Sequence, residues 1–321
     1  MNARPIVIDT APGIDNAIAL ALLTADHNLD VKLVGSVAAG HAELTAAQSL
    51  MKVLTFLHRR TLVAQGCVKP LVRSQYLANG VWQPADCDLI PCPNSSLSHL
   101  AGSNAVLEER RVLLESIQPV TLVTLGPLTN IALLLATFPE VKSHIEQIIM
   151  MVGSTERGNA TVYGEFNAVC DPEAAGIVFR SGLPLVMAGL DIGRQISLNE
   201  QDLRQMKSAG RVGSMISSLL EPSNDRPAGT IELCGTSAAM YLLEPGLFTT
   251  RRARVDVETE GSLTLGATVA NFNLAKPSGH TANSSSSELE ANVTVCVDVD
   301  VCGLKASFLD RVAQADAAEA R

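Results

Sequence analysis

A short run near the start of the chain carries the most specific chemical signal in the sequence. Ile8–Ala17 reads IDTAPGIDNA and combines an apolar strand end, a Pro-Gly turn and the start of a helix. It contains the carboxyl groups of Asp9 and Asp15 and the amide of Asn16. Such side chains can hydrogen-bond the hydroxyl groups of a ligand. Asp15 also has a structural alternative, because the helix dipole favours an acid in the first turn.

Apolar, β-rich runs alternate along the chain with segments of helical periodicity, which predicts an open, mostly parallel α/β sheet flanked by helices. A helix follows Pro12 and Gly13. Open sheets of this kind bind ligands beyond the carboxyl ends of their strands. The predicted strands are Ile6–Ile8, Val31–Val37, Val120–Leu125, Gln147–Val152 and Pro184–Ala188, and the other predicted helices are Ala105–Ile117, Asn130–Ala136 with Thr129 as cap, and Pro172–Arg180.

The length of 321 residues allows one large domain, and we expect a single domain over 1–321. Two polar, Pro- and Gly-containing stretches, Pro222–Gly229 and Pro277–Ser287, interrupt the pattern. Strand and helix signals resume on both sides of each stretch, which favours surface insertions over domain boundaries. The Ala-rich stretch Ala313–Arg321 is typical of a fraying helix end.

Composition excludes several classes of protein. A hydrophobic content of 47% with 18% charged residues predicts a folded globule. A net charge of −9 and few aromatic residues argue against nucleic acid or an anionic membrane as partner. No run reaches the ~20 apolar residues of a membrane span, and no secretion signal is recognisable. The scattered cysteines indicate free thiols and a cytoplasmic protein: Cys67, Cys87, Cys92, Cys170, Cys234, Cys296 and Cys302.

Several ordered blocks resemble the inosine/uridine-preferring nucleoside hydrolases. Ile8–Ala17 is similar to the family's opening D-x-D-P-G-x-D-D-A signature, and Gly126–Asn130 is similar to its G-P-L-T-N segment. Met151–Ser154, Glu165–Asn167 and Asp171–Ala175 resemble its M-G-G-S and E-F-N-x-x-x-D-P-E-A-A blocks, and Asn292–Asp300 resembles its last strand. The resemblance covers nearly the whole chain.

The resemblance implies an α/β nucleoside hydrolase fold and a glycosidase that cleaves the N-glycosidic bond of ribonucleosides in purine and pyrimidine salvage. It implies a Ca²⁺ ion that binds the ribose and the attacking water, and an aspartate that acts as general base. It also implies a homodimer or homotetramer. The ribose-contacting positions of the family correspond to Asp15, Asn159, Glu165 and Asn167. Glu165 and Asn167 have the alternative of satisfying only the backbone of their loop.

The metal and catalytic positions of the family are changed in this chain. The aspartate that serves as both ligand and base is Ala11, and a second metal aspartate is Asn16. Leu125 supplies the carbonyl ligand, which any residue type can do. An ungapped count back from Pro245 places Gly235 at the last metal aspartate and Cys234 at the family's histidine. A gapped alignment offers Glu232 and Ile231 instead.

Other pocket positions differ as well. The family's V-A-G-N corresponds to Val37–Gly40, unless a shift of one residue brings in His41. Its H-G-x-x-G segment is missing, and the corresponding stretch reads YLANGVW at Tyr76–Trp82. Asp298 and Asp300 alternate with valines, which is typical of a solvated strand face. The excess acids therefore indicate a solvating surface rather than a calcium centre.

Two hypotheses follow. The first is a hydrolase that works through a rearranged site, with Glu232 or Asp191 as a recruited acid. The second is a catalytically silent homologue, a pseudoenzyme, that binds a nucleoside or pentose or serves as a structural or partner subunit. Because the base and the metal carboxylates are lost together, the sequence favours very slow or absent hydrolysis. We accordingly assign no catalytic residue, no bound metal and no cofactor.

Overall fold

The computed structural model describes residues 3–39, 43–76, 90, 100–102, 104–221, 231–274 and 290–319. Both predicted insertions, Pro222–Gly229 and Pro277–Ser287, lie outside the described residues, as do His41, Cys87 and Cys92.

The described strands form a ten-stranded sheet and a separate antiparallel pair. The order in the large sheet is β11-β10-β12-β7-β6-β5-β1-β2-β3-β4, and only the β10 pairings are antiparallel. The smaller sheet pairs β8 with β9. The strands are β1 (Arg4–Thr10), β2 (Leu29–Ser36), β3 (Val63–Ala64), β4 (Leu100–Gly102), β5 (Val120–Leu125), β6 (Ile145–Met150), β7 (Leu185–Met187), β8 (Ser197–Leu198), β9 (Ile231–Glu232), β10 (Phe248–Val257), β11 (Thr268–Asn271) and β12 (Val293–Val299).

Helices cover both faces of the large sheet. The described helices are α1 (Ile14–Ala25), α2 (Glu43–Phe56), α3 (Ala105–Glu115), α4 (Thr129–Thr137), α5 (Phe166–Cys170), α6 (Pro172–Phe179), α7 (Leu190–Gly193), α8 (Glu200–Ala209), α9 (Arg211–Leu220), α10 (Thr236–Leu243) and α11 (Val301–Glu319). None of them combines the length and apolar character needed to span a bilayer.

The alternation of side chains along the strands divides the core in two. In β1, Ile6 and Ile8 pack against α1 and its neighbouring helices on one face, and Val7 packs against the helices of the other face. All three side chains are fully buried. A strand buried on both faces is expected to read as a continuous apolar run, which explains the apolar segment that marks β1 in the sequence.

The structure confirms the predicted fold class and corrects several boundaries. β5 has its predicted bounds, whereas β6 begins and ends before the predicted Gln147–Val152. The predicted cap at Thr129 is wrong, because Leu128 is the N-cap and Thr129 is the first residue of α4. The hydroxyl of Thr129 instead donates to Asp171 at 2.7 Å. The chain's local preference for a Thr cap is thus overridden by a contact between α4 and α6.

Candidate functional site

The carboxyl ends of the central strands meet at one edge of the sheet. The register pairs Thr10 of β1 with Ser36 of β2 and with Leu125 of β5. It also pairs Thr124 of β5 with Met150 of β6. The residues that follow these strands therefore lie together, as the sequence predicts for an open sheet.

Asn16 ties two of these strand ends together. It lies in the first turn of α1, and its side chain is 9% exposed. Its Nδ2 group donates to the carbonyl oxygens of Ala11 and Leu125, each at 2.8 Å. Only a donor can satisfy two carbonyl oxygens, which fixes the orientation of the amide. The carbonyl of Leu125, at a metal-ligand position of the family, thus accepts a hydrogen bond from an amide.

An apolar cluster occupies the strand ends beside Asn16. Ala11, Val37 and Ala39 are buried, and Phe166 packs over them. Gly126 lies so close that an added Cβ would stand 2.8 Å from a Val37 methyl carbon and from the Ala11 nitrogen. Where the resemblance implies a general base, this chain has a methyl group in an apolar contact.

Gly235 closes the opposite side of the Asn16 amide. A Cβ added to Gly235 would lie 2.5 Å from the Cβ of Asp15 and 2.6 Å from Oδ1 of Asn16. Real Cβ atoms do not come so close to other heavy atoms. The backbone N–H of Gly235 donates to the carboxylate of Asp15 at 3.1 Å. An aspartate at 235 would therefore require α1 to shift.

The described residues do not fit a calcium site of the family type. Calcium takes 6–8 oxygen ligands, usually with several carboxylates. In the described part of the chain, no group of three or more His, Cys, Asp or Glu side chains could hold a metal ion. The amide protons of Asn16 face the carbonyl oxygens that a cation would need. These groups therefore form a hydrogen-bonded contact and not a metal centre.

Glu165, one of the positions that the resemblance assigns to ribose contact, organises the backbone around it. It is 1% exposed, and its carboxylate accepts backbone hydrogen bonds from Gly153, Asn167 and Ala168 at 2.9, 2.9 and 3.2 Å. Burial raises the pKa of Glu165 to about 7, although these three bonds oppose the shift. This contact set matches the structural alternative for Glu165, namely that it satisfies loop backbone.

The other three positions that the resemblance assigns to ribose contact are placed as follows. Asn167 is buried, and its Nδ2 donates to the Met151 carbonyl at 2.9 Å. Asn159 is exposed, and its Oδ1 accepts the backbone N–H of Phe166 at 2.8 Å. Asp15 lies half-buried next to Asn16 at the start of α1.

A buried polar group behind the strand ends was not predicted from the sequence. Asp9 is 1% exposed and Glu109 of α3 is fully buried, and both carboxyl groups converge on Gly35. Burial raises the pKa of Asp9 to about 6, against hydrogen bonds from Asn130 and Glu109. Burial and the charge of Asp9 raise the pKa of Glu109 well above its ordinary value. The two buried carboxyl groups therefore favour keeping a proton between them.

Asp191 and Glu232 are the two acids that the sequence offers as recruited catalysts. Asp191 lies at the start of α7, and its carboxylate binds the Ser154 hydroxyl at 2.6 Å and the Thr155 N–H at 2.6 Å. It thereby holds the loop after β6. Glu232 lies in β9 opposite Ser197. Cys234 is half-buried and, like the other four described cysteines, is not part of a disulfide.

Comparison with known proteins agrees with this architecture. The chain matches the family described as inosine-uridine preferring nucleoside hydrolase over residues 6–306. It is 37% identical to a protein named pyrimidine-specific ribonucleoside hydrolase RihA from Salmonella typhimurium, covering 97% of this chain and 98% of that protein. A RihA from Salmonella paratyphi B is 38% identical with the same coverage.

Solved structures share the fold. A plant nucleoside hydrolase, PpNRh1, has a TM-score of 0.84 at 23% identity and covers 97% of this chain and 99% of its own. A purine-preferring ribonucleoside hydrolase from Gardnerella vaginalis has a TM-score of 0.83 at 21% identity, with 98% and 100% covered. The family match over most of the sequence and the relatives' identity lead to one conclusion: this chain belongs to the inosine-uridine preferring nucleoside hydrolase family.

Proposed function

We propose that this chain binds a ribonucleoside or a free pentose through the sugar and does not hydrolyse it by a cation-assisted route. The observation that carries the proposal is the asymmetry of the strand ends. Asp15, Asn159 and Asn167 keep polar side chains, whereas Ala11 contributes only a buried methyl group. Hydroxyl-binding groups are thus kept where the charges for catalysis are absent.

The kept side chains suit a polyol. A carboxylate accepts up to about four hydrogen bonds, so Asp15 can bind sugar hydroxyls while it accepts the Gly235 N–H. Asn167 offers an acceptor oxygen, and Asn159 offers an amide at the exposed rim. Glu165 is assigned a positioning role, because its contacts fix the backbone that carries Asn167. Together these groups can orient a pentose at the sheet edge.

Cleavage of an N-glycosidic bond needs more than binding. A base must take a proton from water, and negative charge must offset the cationic character that the sugar ring gains in the transition state. Loss of a general base alone reduces rates by about 10²–10⁴. Ala11 supplies no base, and the Asp191 carboxylate is hydrogen-bonded to the loop after β6. These facts support binding without family-type turnover.

Calorimetric titration with uridine and with ribose, each in EDTA, tests the proposal. We expect saturable binding that Asp15→Asn weakens about tenfold, the effect of losing one charge-assisted hydrogen bond. Asp298→Asn makes the same chemical change on an exposed strand position and should leave the affinity unchanged. The proposal fails if neither ligand binds, or if both variants lower the affinity equally.

A further inference from the structure

The Asn16 amide lies where two backbone carbonyl groups converge. Ala11 directly follows β1, and Leu125 is the last residue of β5. These neighbouring strands pair at Thr10 and Leu125. Their two carbonyl oxygens both lie 2.8 Å from the same nitrogen. Two carbonyl dipoles that point at one spot repel each other unless a hydrogen-bond donor or a cation stands between them. Asn16 provides both of the required N–H groups.

The surroundings leave little space around the Asn16 amide. The side chain of Asn16 is 9% exposed. The backbone at Gly235 comes so close to Oδ1 of Asn16 that a Cβ would stand at 2.6 Å. Ala11 presents a methyl group on the apolar side. Asn16, Gly235 and Ala11 therefore fit together in size and carry no charge. Three carboxylates at these positions would need a metal ion between them.

We propose that the Asn16 amide is a built-in substitute for a divalent cation: its two N–H groups neutralise the converging carbonyl dipoles and hold the ends of β1 and β5 in place without metal. The same contact fixes the first turn of α1, which carries Asp15. This inference concerns the stability of the strand ends, so it stands independently of whether a sugar binds.

A single substitution should reverse this arrangement. Asn16→Asp places a carboxylate against the carbonyl oxygens of Ala11 and Leu125 and removes both donors. Only oxygen atoms then face one another, which is unfavourable when they are buried. Oxygen atoms are also the ligands that a hard cation prefers. The variant should therefore depend on a divalent cation that the wild-type protein does not need.

Thermal unfolding near neutral pH, in EDTA and in millimolar CaCl₂, tests this inference. The wild-type Tm should be the same in both buffers to within about 1 °C. Asn16→Asp should lower the Tm by about 5 °C or more in EDTA, and Ca²⁺ should restore at least half of the loss. Asn16→Ala removes the donors without adding a charge and should be destabilised equally in both buffers. Asn273→Asp adds the same charge at an exposed position and should show no response to Ca²⁺.

Three results would overturn the inference. The first is a wild-type Tm that Ca²⁺ raises by several degrees. The second is an Asn16→Asp protein that is as stable as wild type in EDTA. The third is an Asn16→Asp protein that loses stability and is not rescued by Ca²⁺. If Asn16→Asp cannot be purified, Ala11→Asp/Asn16→Asp prepared in Ca²⁺ decides the matter. The Tm of this double variant must fall when EDTA is added. A constant Tm, or a protein that is insoluble in both buffers, also overturns the inference.

Discussion

The side chain of Asn130 binds Asp9 across 121 positions of sequence, with its Nδ2 2.6 Å from Oδ2 of the aspartate. The same amide nitrogen donates to the Ser36 carbonyl at 2.9 Å, and Oδ1 accepts the Cys67 N–H at 2.8 Å. One fully buried amide at the start of α4 thus joins the ends of β1 and β2 to the loop after β3. This junction supports the strand ends from behind the candidate site.

Asn130→Ala should be strongly destabilising. It leaves the Asp9 carboxyl, the Ser36 carbonyl and the Cys67 N–H without this partner, and each buried unpaired group costs about 1–3 kcal/mol. We expect the free energy of unfolding in urea to fall by about 3 kcal/mol or more. Asn273→Ala, at an exposed position, is the control and should change it by less than about 0.5 kcal/mol. Equal effects of the two variants would contradict the assigned role.

The pair of Asp9 and Glu109 predicts a pH dependence of stability. Both pKa values are raised in the folded protein, so the folded state keeps protons that the unfolded chain has already lost. Stability should therefore fall as the pH rises from about 4 to 6, by roughly 2–3 kcal/mol for Asp9. The raised pKa of Glu109 should add to this fall in the same direction.

Glu109→Gln should flatten this pH profile. The amide removes one titrating group and can donate to Asp9, which lowers the pKa of Asp9 towards its ordinary value. Urea unfolding at a series of pH values measures the effect, and the variant should be more stable than wild type at about pH 8. Glu115→Gln, at an exposed position of the same helix, should leave the profile unchanged. A Glu109→Gln profile with the wild-type slope would show that the pair does not share a proton.

Two glycines provide a matched test of the packing against α1. Gly235→Ala forces a methyl group into the space beside Asp15 and Asn16 and should cost about 1–3 kcal/mol. A Cβ on Gly246 meets nothing within 4 Å, so Gly246→Ala should be nearly neutral. The difference in Tm between the two variants measures the effect. Equal Tm values would mean that the backbone at 235 has space for a side chain.

Glu165→Ala separates a positioning role from ligand contact. The substitution removes the acceptor for three backbone N–H groups and should lower both the Tm and the affinity for uridine, because Asn167 loses its support. Glu165→Gln keeps one acceptor oxygen and should recover part of both losses. Calorimetry and thermal unfolding on the same samples provide the two readouts. Weaker binding with an unchanged Tm would instead indicate direct contact between Glu165 and the ligand.

The sequence predicts the sheet edge well and the chemistry at that edge only in part. Apolar runs identify the central strands because strands buried on both faces must be apolar throughout. The change to Asn16 is visible in the sequence, but its contacts with Ala11 and Leu125 are not, because they depend on how two strand ends pair. Asn130 and Glu109 were missed for the same reason: a helical pattern does not show which distant carboxyl a side chain will meet.

Release of ribose from uridine is the most direct measure of whether this chain hydrolyses a nucleoside. Purified wild-type protein is incubated with uridine in millimolar CaCl₂ and, in parallel, in EDTA, and reducing sugar is measured over time, with the Salmonella typhimurium RihA relative as positive control. We expect no ribose above the protein-free blank in either buffer. Ribose release in Ca²⁺ that EDTA abolishes would contradict it, because the hydrogen-bonded Asn16 site could then not be the state of the protein that meets its ligand.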